Sequence, residues 1–243
     1  MPAELKLPKI PQPVVFLRNK FSIKPGLEGR FFEGQAELLK KARPYMELVA
    51  AFGARPLVKD GPAPFPPVSM THIWKMVGKD RKDPGWGSLY TVMSKFSEND
   101  WYVREVESLQ GESQDLLVLA APGIVRTPRP GSWAEPYIYV YEELRLRGKS
   151  SRTFLKDLNW FASQDRSQCE LMWLCNEVTG TPSQWALLWR SPSIDAHRSF
   201  LAKMTYDEPY ATRYASSMLG LESFSREYMF PESTEVIDNL LHP

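Results

Sequence analysis

The sequence predicts an α+β fold in which one β-α-β-β-α-β unit occurs twice in tandem, and three observations carry that expectation. The run Thr71-His72-Ile73-Trp74-Lys75 matches Ala186-Leu187-Leu188-Trp189-Arg190, each a short apolar stretch with Trp and then a cation, followed by a loop and a helical segment ending near Met93 or Met204. Upstream, Val15 to Phe21 lines up with Ile138 to Leu144 as a strand with alternate apolar positions, and downstream Asp115 to Pro122 lines up with Arg226 to Pro231. The offset between paired elements drifts from about 123 residues to about 109, as short loop deletions between two copies of a roughly 110-residue unit would produce. Finally, residues 121–136 between the copies hold four prolines and two glycines, the composition of an extended, semi-rigid linker.

The elements follow in order. Residues 1–13 read as an N-terminal arm, because the first twelve contain three prolines and no periodicity. The first repeat, 14–120, opens with a strand from Val14 to Ile23, apolar at Val15, Leu17, Phe21 and Ile23 and polar at Arg18, Lys20 and Ser22. Lys24-Pro25-Gly26 breaks it. Leu27 to Phe52 then reads as a helix bent at Pro44 and stopped by Gly53. A short strand from Ala54 to Lys59, a proline-rich turn, a strand from Val68 to Met76, helices over 86–96 and 101–110, and a strand from Leu116 to Ala120 complete the copy. The second repeat, 137–231, reads as strand, helix over 150–162, strand over 170–177, strand over 185–189, helix over 193–204 and a last strand through Tyr228. A tail over 232–243 ends the chain.

This order gives a ferredoxin-like antiparallel sheet with helices on one side only, so its other face needs cover. The sheet of the second copy is the nearest cover, and two such sheets face to face form a barrel lined by their non-helical faces. With Ile23-Lys24-Pro25-Gly26 closing the first strand and the His72-Ile73-Trp74 strand, the chain resembles the dimeric α/β-barrel superfamily, most closely its NIPSNAP-type branch, as a tandem fusion that acts as a pseudo-dimer. The resemblance implies cofactor-free monooxygenases, polyketide cyclases, isomerases, haem enzymes or NIPSNAP proteins, and a fold alone does not choose among them.

Composition narrows the classes. Thirty Lys and Arg against 29 Asp and Glu leave a net charge of +1, with the cations scattered among carboxylates, which argues against nucleic acid and anionic membranes as partners. No apolar run reaches the roughly 20 residues of a membrane span and the first residues lack a signal-peptide core, making the cytoplasm the expected location. Cys169 and Cys175 sit six apart in one strand segment, about 20 Å if extended, and are expected as free, buried thiols. His-Glu-x-x-His, Cys-x-x-Cys, Gly-x-Gly-x-x-Gly, phosphate-loop and Gly-x-Ser-x-Gly patterns are absent from the sequence, so no metal site and no cofactor are expected.

The barrel interior is the expected site. Its candidate lining is Phe16 and Arg18 from the first strand, Tyr139, Tyr141 and Glu143 from the matching strand, and His72, Trp74, Trp185 and Trp189 from the Trp strands, an aromatic cavity suited to a hydrophobic cyclic or aromatic molecule. His72 beside Tyr141 or Glu143 would abstract a proton from an acidic C–H or phenol, and Arg18 would hold the anion, which then cyclises or reacts with oxygen. Against this stand packing roles for the aromatics, a hydrogen-bonded interior histidine and an internal Arg18 salt bridge. Glu105, near Glu98, Glu107 and Glu112, is expected on a solvated helical face. Natural-product tailoring of a polyketide-like substrate is the expected setting. Resemblance to chlorite-dismutase-like tandem barrels supplies a haem alternative with His197 as axial ligand, against an exposed first-turn histidine beside Asp195. A non-catalytic binding protein, a cavity closed by its own aromatics, and a monomer or homodimer remain as alternatives.

Overall fold

The computed structural model describes residues 14–54, 57–58, 61–62, 69–78, 85–96, 99–119, 137–147, 151–164, 168–177 and 184–231. The expected arm, linker and tail lie outside these residues. The chain divides into two compact units, one built on Gln12–Val118 with the strand end from Met229 to Pro231, the other on Pro136–Tyr228.

The N-terminal unit runs β1 (Val15–Ile23), α1 (Glu28–Ala42), β2 (Met46–Ala54), the short hairpin strands β3 (Leu57–Val58) and β4 (Gly61–Pro62), β5 (Ser69–Met76), α2 (Trp86–Phe96), α3 (Asp100–Glu107) and β6 (Leu109–Leu119). Its sheet has the order β6-β1-β5-β2, so the first strand lies between the third and fourth of the four main strands, as ferredoxin-like topology requires. The C-terminal unit repeats the scheme with β7 (Ile138–Leu146), α4 (Ser151–Ala162), β8 (Glu170–Glu177), β9 (Gln184–Ser191), α5 (Ile194–Tyr206), α6 (Tyr210–Leu219) and β10 (Leu221–Pro231), in the order β10-β7-β9-β8.

The equivalence extends to single residues. β1 and β7 carry the same succession of buried and half-buried positions, and so do β5 and β9. The backbone N–H of Lys24 donates to the Ser108 carbonyl at 2.9 Å, and that of Arg147 to the Gly220 carbonyl at 2.9 Å, closing the same corner in each unit. Gly26 at φ +84° makes the expected turn after β1. Gly85 at φ +98° leads into α2, where a Cβ would stand 2.5 Å from Met76 Cβ, so a side chain is excluded twice over, by conformation and by space.

Helices cover one face of each sheet because one strand parity is apolar. In the N-terminal unit, Val15, Leu17, Trp74 and Met76 pack with Leu39 and Ala42 of α1 and Leu89 of α2, while Phe21, Ile23 and Met70 pack with Phe31. Burying each such side chain contributes about 1.5–3 kcal/mol.

Three expectations about elements fail. The long helix from Leu27 to Phe52 is really α1 followed by β2: Pro44 ends the helix, and the apolar run after it satisfies a buried strand as readily as a helix face. Where a strand was expected over 54–59, Ala54 ends β2 and Leu57–Val58 form the short strand β3, and residues 55, 56 and 59 lie outside the described residues. The separate helix α6 was not anticipated; the short turn from Asp207 to Pro209 divides it from α5. Cys169 and Cys175 are free and buried, as expected, and burial pushes both thiol pKa values up. No helix among the described residues is long and apolar enough to cross a membrane.

Candidate active site and ligand pocket

In the C-terminal unit the sheet and its helices leave a cavity of about 60 Å³ between them. Its wall is apolar. Phe154, Leu158 and Phe161 come from one face of α4 at i, i+4 and i+7, Phe200, Leu201 and Met204 from α5, Tyr214 and Met218 from α6, and Leu144 and Leu187 from the sheet. Its polar end is made by Glu142, Trp189, His197 and Arg226.

Strand parity brings these groups together. Val140, Glu142 and Leu144 alternate on the helix-covered side of β7, and cross-strand pairing of Val140 with Trp189 and Glu142 with Leu187 puts the β9 residues on that side. The Glu142 carboxylate is therefore buried in an apolar register, and its partners satisfy it. Oε1 accepts from Arg226 Nε at 2.8 Å and from Arg226 Nη2 at 2.6 Å, and Oε2 accepts from Trp189 Nε1 at 2.8 Å. Burial opposes the Arg226 charge, but Glu142 outweighs it and holds the guanidinium pKa above its ordinary value.

His197 enters from α5. Ser193 caps that helix by accepting the Ala196 N–H at 3.0 Å, which fixes the first turn and so the imidazole. The ring is 1% exposed rather than solvent-facing, correcting the expectation of an exposed histidine beside Asp195. Its Nδ1 lies 3.1 Å from the Tyr228 hydroxyl, and burial, with Arg226 nearby, lowers its pKa to about 4. At neutral pH His197 is an uncharged imidazole at the polar end of an apolar cavity. It can accept a proton or a hydrogen bond there.

Of the sequence-derived candidates, Trp189 and His197, the latter expected only as a haem ligand, line this cavity. Trp185 is on the same side of the sheet, opposite Leu144, but outside the cavity wall. Tyr139, Tyr141 and Glu143 pair with Arg190, Leu188 and Ala186 and so occupy the opposite face. Burial pushes the Tyr139 hydroxyl up to about 12, although Arg190 partly offsets this.

In the N-terminal unit the register separates the expected catalytic pair. Asn19 pairs with His72 and Leu17 with Trp74, placing both β5 residues under the helices; Arg18 pairs with Ile73 and Phe16 with Lys75 on the other side. His72 and Trp74 were expected on the face of Arg18. They lie on the opposite face because residues two apart along β5 follow the apolar parity of β1, and His72 and Arg18 therefore cannot engage one molecule.

His72 belongs instead to a buried polar chain. Its Nδ1 lies 3.2 Å from Gln35 Oε1 of α1, and Gln35 Nε2 donates to Glu105 Oε1 of α3. Because the Gln35 amide nitrogen is turned to Glu105, its oxygen faces His72, which makes Nδ1 the protonated nitrogen. Burial lowers the His72 pKa to about 3 and raises that of Glu105 to about 8, so both are uncharged at neutral pH. Glu105 is 4% exposed, contrary to its expected place on a solvated face. The C-terminal unit makes the matching tie between its first and last helices through Ser217 Oγ, which donates to Asp157 Oδ2 at 3.1 Å.

A haem does not fit the volume at His197. An engineered cavity of about 150 Å³ takes benzene, and this one, at about 60 Å³, is far too small for a macrocycle. Among the described residues no group of three or more His, Cys, Asp or Glu is placed to hold a metal ion.

No family model and no curated protein matches the chain. Solved structures do match it. A proposed monooxygenase from Lactobacillus acidophilus NCFM is 11% identical, with a TM-score of 0.55 over 91% of this chain and 95% of that one. A second proposed monooxygenase, from Fusobacterium nucleatum, is 8% identical, with a TM-score of 0.56 over 91% of this chain and 94% of its own. A variant of chlorite dismutase from Candidatus Nitrospira defluvii is 9% identical, with a TM-score of 0.58 over 94% and 95% of the two chains. These likenesses show the fold: two ferredoxin-like units of the dimeric α/β-barrel type.

Proposed function

We propose that this chain is a cofactor-independent, oxygenase-type enzyme whose substrate, a compact apolar organic compound with an acidified C–H or O–H group, sits in the cavity of the C-terminal unit. The observation that carries the reading is the cavity itself: apolar on all sides but one, with a neutral imidazole, an arginine and an indole N–H gathered at the remaining end. Two of the fold neighbours are proposed monooxygenases, which supports the reaction class.

The chemistry needs no reductant beyond the substrate. His197 takes the acidic proton, and the carbanion or phenolate is held beside the new imidazolium. An imidazole with a pKa near 4 keeps that proton only while the anion remains next to it, because the pair stabilises both charges in low dielectric. The anion gives electrons to dioxygen and the carbon–oxygen bond forms. For a CH2 group the net change is CH2 + O2 → C=O + H2O, one oxygen atom going to the carbonyl and the other to water. The small cavity favours a compact substrate over the polycyclic, polyketide-like one expected from the sequence.

Oxygen uptake tests this. Purified chain is supplied with malononitrile, a compact acid with one CH2 group, in a sealed cell containing chelator and no added cofactor. Uptake that scales with protein and disappears in His197→Gln supports the reading. No uptake above the protein-free blank overturns it and leaves a binding protein.

A further inference from the structure

The polar end of the cavity is electrically closed, and this determines the charge of what it accepts. Arg226 is a cation in the lining, and it commits both Nε and Nη2 to one oxygen of Glu142. The other oxygen of Glu142 is taken by the Trp189 indole. His197 adds no charge. The sum over Glu142, Arg226 and His197 is zero, and the rest of the wall is uncharged, its Ser217 hydroxyl donating to Asp157 outside the lining. An entering carboxylate would have to displace Glu142 from Arg226, stripping a buried carboxylate of its partner, and would give up its own hydration as well. A neutral ligand faces neither loss and meets the uncharged His197.

We infer that Glu142 is the specificity-determining residue of this pocket: by occupying Arg226 it selects neutral ligands that carry a single hydrogen-bonding group and rejects carboxylates of the same shape. The inference rests on the cavity being the ligand site, as in the reading above, but not on any turnover. The register explains why Glu142 is suited to the role. It interrupts the apolar series Val140, Leu144 on the helix side of β7, where the N-terminal unit has the uncharged Asn19 between Leu17 and Phe21.

The test uses an isosteric pair small enough for the cavity, formamide and formate, titrated at pH 7 against the full chain while the Trp189 indole N–H resonance is followed. In the wild type, formamide shifts that resonance, and its dissociation constant is at least about tenfold below that of formate, the low end of coupling seen for close buried charge pairs. In Glu142→Gln the preference reverses, because Arg226 is released to the carboxylate. Since that variant leaves a buried cation, Glu142→Gln/Arg226→Gln is the companion: with neither charge present it keeps the amide and gains no carboxylate. Equal binding of the two probes to the wild type, tighter formate, or no shift with either overturns the inference. Amide selectivity without oxygen uptake would leave the inference standing while the oxygenase reading fails.

Discussion

Replacing Glu105 with glutamine should abolish a loss of stability at alkaline pH that the wild type suffers, and the buried chain from His72 through Gln35 fixes the sign. The Glu105 carboxyl moves from about 4.5 in the unfolded chain to about 8 in the folded one. An acid whose folded pKa is raised gives stability that is complete below its unfolded value and falls as pH climbs to the folded value, at about 1.4 kcal/mol per pH unit. His72, lowered from 6.5 to about 3, and His197, lowered to about 4, act in the opposite sense, each favouring the folded state as pH rises to 6.5. Below pH 6.5 the two histidines outweigh the one carboxyl. Above it the unfolded histidines give up their last protons, which adds about 0.8 kcal/mol for the two by pH 8, while Glu105 costs about 1.6 kcal/mol over the same interval. Stability should therefore peak near pH 6.5 and fall by about 1 kcal/mol by pH 8. Urea denaturation at pH 6.5 and pH 8 measures this directly. Glu105→Gln, which keeps an oxygen for the Gln35 amide and never ionises, should already exceed the wild type by about 2.7 kcal/mol at pH 6.5 and by about 4 kcal/mol at pH 8. Parallel alkaline declines in both proteins would refute the assignment of the buried proton to Glu105.

Other expectations follow from single contacts. Gly85→Ala puts a Cβ 2.5 Å from Met76 Cβ at φ +98° and should cost at least about 1–3 kcal/mol in urea denaturation. Trp189→Phe deletes the indole donor to Glu142 and should destabilise by about 1.5–3 kcal/mol, whereas Trp185→Phe, which removes no contact to Glu142, should show no such loss of a charged hydrogen bond. Cys169 and Cys175 should resist a thiol reagent in the native protein at pH 8, and both should react once it is unfolded, because burial keeps both thiols protonated and enclosed; rapid native labelling of either would contradict its placement.

The repeated topology was legible because each copy carries a strong local signal, a strand with alternating apolarity followed by a turn and a helix, and because the Trp strands align residue for residue. The second strand of the first copy was not. Met46 to Phe52 is nearly all apolar, so its pattern has no period to read, and only the helix stop at Pro44 marks the boundary. The candidate site was the least legible part, for a reason of geometry. Which face of β5 carries His72 depends on its pairing with β1, and a one-residue change of register reverses the answer for every residue on the strand. A signal for the true polar end was nonetheless present. Leu17-x-Asn19-x-Phe21 and Val140-x-Glu142-x-Leu144 each place one polar side chain in the middle of an apolar register, where a strand packed under helices can tolerate it only with a partner.

The two units answer that demand differently. In the N-terminal unit Asn19 Nδ2 donates to Glu112 Oε1 at 2.9 Å, Trp74 packs into a cluster closed by Leu39, Ala42 and Leu89, and the remaining polar residue under the helices, His72, reaches Gln35. In the C-terminal unit a full carboxylate stands at the Asn19 position, and meeting it takes an arginine from β10 as well as an indole from β9. A bidentate guanidinium fixes the carboxylate more firmly than a single amide could. Where β5 has His72 reaching up to α1, β9 has the apolar Leu187, which lines the cavity with Phe154, Leu158 and Phe161 of α4 and makes no polar tie to the helices. The histidine of this unit is carried by α5 instead. Filling the space tests the account: Leu187→Trp, which adds about the volume of the cavity, should abolish formamide binding, and a folded variant that still binds the amide would show that the ligand sits elsewhere.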